Sequence, residues 1–361
     1  MTLDLGLPLG DLARCLLEVE SVSGNEGPLA DAVEAAMRGL AHLDVTRDGD
    51  AIVARTQLGR GERVAIVGHL DTVPLVEGLE VKVEGDTLWG RGSVDMKGGV
   101  AVILSLAASL VEPNRDVTWI LYDHEEVADA LNGLRRISKN HPKLLEVDFA
   151  VLAEPTAGGI EVGCNGTLRF EVEVPGIAAH SARAWKGVNA IHEASPVLAV
   201  LSRYVPKVVT VDGLEYQEGL NVVAVAGGIA GNVVPERCTI TVNYRYAPDK
   251  TEDQAVAHVH EVLHNSGVEG LTIKVVDHGA SCRPGLDSPI ARAFVEAVVA
   301  TGADAPRAQY AWTDVARFGA LGIPAMNFGP GDPDLAHSDE ERVSVKEIER
   351  VREGLRAWLE G

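Results

Sequence analysis

Six residues of this chain have the types and settings to do chemistry: His69, Asp95, Glu125, Glu126, Glu154 and His337. His69 lies in G-H-L-D-T-V-P at 68–74, after the apolar run Val64-Ala65-Ile66-Val67. Asp95 lies in G-S-V-D-M-K-G-G at 92–99, which leads into a helix-like apolar run over 100–111. Glu125 and Glu126 follow the apolar stretch 117–122, Glu154 follows 149–152, and His337 sits in A-H-S-D beyond 323–328. Two imidazoles with several carboxylates make a mixed nitrogen and oxygen donor set, which suits zinc and related divalent ions. Open α/β sheets carry their chemistry just outside the carboxyl ends of strands, where these residues repeatedly fall.

Adjacent acids such as Glu125-Glu126 usually form a solvated face, but this pair ends an apolar strand. If one glutamate binds a metal, its neighbour is held close without binding, which is what a general base needs. A lone histidine is more often a satisfied core or loop residue. His69 has Asp71 two residues on, a carboxylate able to orient its ring. Asp95 has glycines close on either side, so its backbone can turn sharply toward a cation.

The elements that must position these residues can be read from the pattern. Strand-like runs near 43–47, 51–55, 64–68, 117–122 and 149–153 alternate with helix-like segments at 11–40 (broken by a turn at 23–27), 98–111 and 126–139. Several runs are continuously apolar, as in a mostly parallel, buried sheet. From Gly166 the pattern changes to period two, the mark of a strand with one wet face. A helix at about 187–204, strands near 220–229 and 237–246, a helix at 252–265 and a strand at 271–277 follow. That β-α-β-β-α-β order is ferredoxin-like. A helix from Pro289, a strand over 323–328 and a closing helix at 345–359 return to the first style. The expected fold class is therefore α/β, with a mostly parallel-sheet domain over 1–165 and 280–361 and an inserted α+β domain over 166–279.

At 361 residues the chain exceeds one ordinary core, which agrees with two domains. A formal net charge of −21 argues against nucleic acid or an anionic membrane as partner. Cys15, Cys164, Cys238 and Cys282 form no C-x-x-C pair and read as reduced thiols. The segment 1–20 carries acids where a signal peptide needs bases, and the longest apolar stretch is short of a membrane span. A cytoplasmic enzyme is expected.

Two other motifs carry less. His260-Glu261-Val262-Leu263-His264 matches H-E-x-x-H, which can place two histidines on one helix face. It lies in the insert with no obvious third ligand, so it reads as a helix opened by a capping box at Thr251 and Gln254. Gly227-Gly228-Ile229-Ala230-Gly231 lacks the Gly-Lys-Thr/Ser of a phosphate loop and reads as a turn before Asn232.

Taken together, G-H-L-D-T-V-P, G-S-V-D-M-K-G-G, H-E-E, A-E-P-T and the late A-H-S-D resemble the di-zinc aminoacylase/carboxypeptidase family over essentially the whole chain. The segments 163–167, 179–185, 231–235, 244–248 and 312–318 resemble most closely its desuccinylases of actinobacterial type. The resemblance implies a di-zinc peptidase-like catalytic domain and an inserted dimerisation domain. It implies two zinc ions per subunit, with cobalt able to substitute. Asp95 would bridge them, one ion also held by His69 and Glu154 and the other by Glu126 and His337. Glu125 would activate a bridging water, Asp71 would support His69, and His180 would reach the partner subunit's site in a homodimer to stabilise an oxyanion.

The implied reaction is hydrolysis of N-succinyl-LL-2,6-diaminopimelate to succinate and LL-2,6-diaminopimelate, in lysine and diaminopimelate biosynthesis. The alternatives are N-acetylornithine deacetylation, acidic-dipeptide carboxypeptidase activity, or a non-catalytic metal-binding scaffold. Such a small anionic substrate needs fixed donors. Arg245 matches the family's carboxylate-binding arginine, and Asn232 and Thr313 match substrate-bonding positions. The better-known desuccinylases carry arginine at the segment matching Cys164-Asn165. This chain does not, and Arg183 is the expected replacement.

Overall fold

The apolar runs form strands because both of their faces are covered. A computed structural model of the chain describes residues 3–75 and 78–361. Met1 and Thr2, at the head of the segment tested for a signal peptide, lie outside the described residues. The chain divides into two compact units, Met1–Val162 with Gly285–Arg307 and Arg317–Gly361, and Gly163–Pro284 with Ala308–Ala316.

The first unit is built on an eight-stranded sheet. At its centre Asp116–Tyr122, Arg63–His69, Phe149–Leu152 and Ala325–Asn327 run side by side in parallel. Asp44–Asp48 and Ala51–Arg55 extend one side antiparallel. All seven residues of Asp116–Tyr122 are buried, which explains why that strand reads as a continuous run rather than an alternating one. Helix Gly98–Ser109 packs on strand Arg63–His69 and on helices Leu9–Leu17 and Val345–Glu360, and its sequence is apolar nearly all round because it is buried nearly all round. Phe149, Phe294, Phe328 and Trp358 interlock by tilted and edge-on ring contacts beneath the sheet.

In the second unit the strand order is Gly219–Gly227, Arg237–Tyr246, Gly166–Pro175, Thr272–Gly279, all antiparallel. This is the ferredoxin-like arrangement. Leu168, Phe170, Val172 and Val174 point inward at alternate positions and share a core with Val197, Val259 and Leu263 of the covering helices. Helix Glu252–His264 opens with the expected Thr251–Gln254 capping box.

The structure differs from the sequence reading in four places. The inserted unit spans Gly163–Pro284 rather than 166–279, because Cys164 and Cys282 exchange backbone hydrogen bonds at 2.9 and 3.1 Å. Residues 308–316 belong with it too, since the Trp312 indole donates to the Ala280 carbonyl at 3.1 Å. The helix expected over 126–139 begins only at Gly133, where the Asn132 side chain caps Arg135 N–H. The helix expected over 187–204 is two short ones, Ala190–Glu193 and Ser195–Ser202. Two antiparallel features had no clear signal: the hairpin Val208–Val211/Leu214–Gln217, and a small sheet of Lys82–Glu84, Thr87–Trp89 and Arg342–Ser344. Among the described residues no helix is long and apolar enough to cross a membrane.

Candidate metal centre

The parallel sheet delivers the donors. His69 is the last residue of its strand, Glu125 and Glu126 follow Asp116–Tyr122, and Glu154 lies just past Phe149–Leu152. Asp95 sits in a tight kinked turn ahead of helix Gly98–Ser109. That turn can press against the sheet because Gly99 has no side chain: a Cβ there would lie 2.3 Å from the Ala153 carbonyl oxygen. His337 follows the short helical turn Pro333–Leu335 and adopts a φ of 64°, unusual for a residue with a side chain.

The side chains converge on Asp95. His69 Nε2 is 3.0 Å from Asp95 Oδ1, and His337 Nε2 is 3.3 Å from Asp95 Oδ2. His337 Nε2 also lies 2.9 Å from Glu126 Oε1. Ligand atoms of His69, Asp95 and Glu126 all fall within 4.8 Å of one another. Glu154, 7 % exposed, is close enough for its charge to act on His69. One carboxylate between two imidazoles, with two more carboxylates beside them, fits a pair of divalent ions by donor chemistry and by crowding of charge.

Burial pushes the His69 imidazole down, but hydrogen bonds with Asp71 and Asp95 outweigh it and carry the group well above its ordinary range. His337 is raised to about 10, first by its hydrogen bond with Asp95 and then by that with Glu126. Burial favours the neutral form of Asp95, yet His337 and His69 hold it well below the usual carboxylate range. The centre thus stabilises anionic oxygens and invites cations.

The loops are held by buried acids. Asp71, fully buried, accepts the backbone N–H of Glu125 at 2.9 Å and of Glu126 at 3.1 Å, and the Ser23 hydroxyl at 2.7 Å. Against the cost of burial, His69 and these donors hold Asp71 at about 2. Its backbone carbonyl lies 3.0 Å from His69 Nδ1, which leaves Nε2 facing Asp95. Two more such acids, and the arginine paired with one of them, escaped the sequence reading. Glu26 accepts the His124 N–H at 3.2 Å, and Glu341 and Arg91 form a buried pair at 2.7 Å behind the Asp95 turn. The S-D-E-E-R run around Glu341 looks like a solvated charge cluster, and Glu26 looks like part of a polar turn.

His180, Arg183, Asn232, Arg245 and Thr313 belong to the second unit. His180 pairs with Val233 in a short two-stranded ladder, and Ser181 N–H donates to the Asn232 carbonyl at 2.9 Å, so His180 and Asn232 share one structure. His180 and Arg183 are exposed. Arg245 is partly buried, with Nε donating to Asn243 Oδ1 at 3.2 Å. Thr313 is 8 % exposed, and its carbonyl is 3.9 Å from the Cys164 thiol. Cys164 and Asn165 are buried, and Asn165 Nδ2 donates to the Gln217 carbonyl at 2.8 Å. His260 and His264 stand on the exposed face of their helix, and among the described residues they join no cluster of metal-binding groups.

Residues 65–361 match the family described as Peptidase family M20/M25/M40. A Mycobacterium tuberculosis protein provisionally named succinyl-diaminopimelate desuccinylase DapE is 49 % identical over 97 % of this chain and 98 % of its own length. A Corynebacterium glutamicum succinyl-diaminopimelate desuccinylase is 42 % identical over 97 % and 96 %. Among solved structures, a Staphylococcus aureus tripeptidase matches with a TM-score of 0.81 at 18 % identity, over 100 % of this chain and 99 % of that one. An M20 family metallo-carboxypeptidase of Sulfolobus solfataricus matches at 0.77 and 17 %, over 98 % of both chains. With donors at the strand ends, that fold and the family match over most of its length, the chain belongs to peptidase family M20/M25/M40.

Proposed function

We propose that this chain is a metal-dependent amidohydrolase that cleaves N-succinyl-LL-2,6-diaminopimelate to succinate and LL-2,6-diaminopimelate, in lysine and diaminopimelate biosynthesis. The observation that carries the chemistry is the Asp95 carboxylate lying between His69 and His337, with the Glu125 peptide tied beside it by Asp71. The substrate is supported by the names of the Mycobacterium and Corynebacterium relatives, which match nearly end to end.

His69, Asp95 and Glu154 would hold one ion, and Asp95, Glu126 and His337 the other, with zinc the natural choice for such donors. When bound, the pair polarises an amide carbonyl and acidifies water. Glu125 takes the water's proton and delivers it to the departing amine. His180 donates a hydrogen bond to the developing oxyanion of the partner subunit's site. Arg245, Asn232, Thr313 and Arg183 take the substrate's carboxylates and polar groups.

The homodimer is supported by the outer strand of the second unit, Gly219–Gly227, on which Val223 and Val225 are 58 % and 49 % exposed. An open apolar strand edge of this kind is a template for pairing with another copy. A cytoplasmic location follows from the same reading.

The deciding experiment compares kcat/KM on N-succinyl-LL-2,6-diaminopimelate, N-acetylornithine and acidic dipeptides with zinc-loaded protein. A preference of several orders of magnitude for the succinyl substrate is expected. Turnover of another amide with no such preference would keep the metal chemistry and overturn the substrate. Arg183→Ala should raise KM for the succinyl substrate about tenfold, as loss of one charge-assisted contact would. Unchanged kinetics would remove Arg183 from the substrate site.

A further inference from the structure

Glu341 stands outside the donor set, four residues past His337, and is fully buried. Its Oε1 accepts the backbone N–H of Val94 at 3.1 Å and of Asp95 at 3.2 Å. Its Oε2 accepts from Arg91 Nη1 at 2.7 Å, and the same Nη1 donates to the Ser338 carbonyl at 3.2 Å. Arg91 is itself only 5 % exposed. A single buried ion pair therefore ties the peptide entering Asp95 to the peptide that follows Ser338, one residue past His337.

Stability is a weak reason for such a pair, because apolar residues of similar volume often replace buried ion pairs at no cost. The distribution of its bonds points elsewhere. Both carboxylate oxygens accept from the segment that carries Asp95, through Val94, Asp95 and Arg91, and Arg91 carries the tie on to Ser338 beside His337, whose ring approaches Asp95 at 3.3 Å. His69 and Glu154 are placed by the ends of neighbouring parallel strands instead, which owe nothing to Glu341.

We propose that Glu341, paired with Arg91, is a positioning residue that sets the separation of Asp95 and His337 and so selectively supports the ion held by Asp95, Glu126 and His337. The inference rests on the two-ion reading above. Glutamine cannot do the same work: its amide nitrogen donates and cannot accept, so it must fail either the two N–H groups or Arg91.

The test titrates zinc into metal-free wild type, Glu341→Gln and the double variant Arg91→Met/Glu341→Met against a competing chelator. Thermal midpoints of the metal-free proteins and visible spectra of the cobalt forms are measured alongside. The double variant removes both charges together while keeping volume, so it should fold even if Glu341→Gln does not, with a midpoint lowered by the backbone N–H groups of Val94 and Asp95 that lose their acceptor. Expected are two equivalents in wild type. In the double variant the first should be retained within a few-fold, and the second weakened at least about tenfold, the usual cost of losing support behind a ligand, with an altered cobalt spectrum. Two equivalents of wild-type affinity and spectrum in the double variant would overturn the proposal. Equal weakening of both ions would also overturn it, by reducing Glu341 to a general structural role. Fewer than two equivalents in wild type would overturn the two-ion reading itself.

Discussion

The candidate metal loops of the first unit and the loop of the second proposed to meet substrate are built to different standards. His69 is 1 % exposed, and the backbone of two acidic loops beside it is gripped by a buried carboxylate: Asp71 behind Glu125 and Glu126, Glu341 behind Asp95. The loop carrying His180 and Arg183 is exposed from Ser181 to Lys186, and within it the Ala182 N–H donates to the His180 ring at 3.0 Å. Where several negative charges must be held together, the cost of misplacement is high, and the chain commits buried acids to prevent it. Where a residue meets substrate, exposure is part of the task, and backbone ties are fewer.

That contrast can be broken experimentally. The largest effect should come from Glu125→Gln, which keeps the Asp71 bond to its peptide but removes the base. The expected loss is about 10²–10⁴-fold in kcat with both metals still bound; near-normal turnover with full metal content would show that another group moves the proton. His180→Ala should follow, with kcat down about 10²–10³-fold, as for removal of an oxyanion donor, and metal affinity untouched. A loss of metal in that variant would place His180 among the ligands and erase the distinction between the two regions. Asp71→Asn should cost about 10–100-fold in metal affinity or activity, because its amide nitrogen cannot accept from Glu125 or Glu126. Wild-type affinity there would mean the loop is held well enough without its buried acid. The smallest effect belongs to His264→Ala, expected to leave zinc content and activity unchanged. Zinc lost in that variant would reinstate the H-E-x-x-H helix as a metal site.

Much of the centre was legible because its signals are local. Strand ends followed by His69, Glu125-Glu126 and Glu154 combine an apolar run with a polar residue that has no structural excuse. The Asp95 turn announced itself by its glycines, and Gly99 proves to be needed where the turn meets Ala153. The ferredoxin-like order emerged from period-two strands, since one face of that sheet is wet. The failures are equally physical. The helix expected from 126 starts seven residues late because Gly133 N–H donates to the Asp123 carbonyl and Arg135 N–H to the Asn132 side chain, groups that a continuous helix would bond internally. The edge sheet of Lys82–Glu84, Thr87–Trp89 and Arg342–Ser344 joins segments distant in the chain, and its short strands have no period to read.

By itself, the sequence determined which donors are present and that most of them terminate elements of a parallel sheet, because element type follows from periodicity and donor chemistry from residue type. Only the tertiary structure decided which buried acids stand behind those donors. Glu341 reaches Val94 across 247 positions and Arg91 across 250, and what it accepts from Val94 and Asp95 is their backbone N–H, a group every residue except proline carries. A bond to a group shared by nearly all residues leaves no mark in the sequence, so only folding could reveal it.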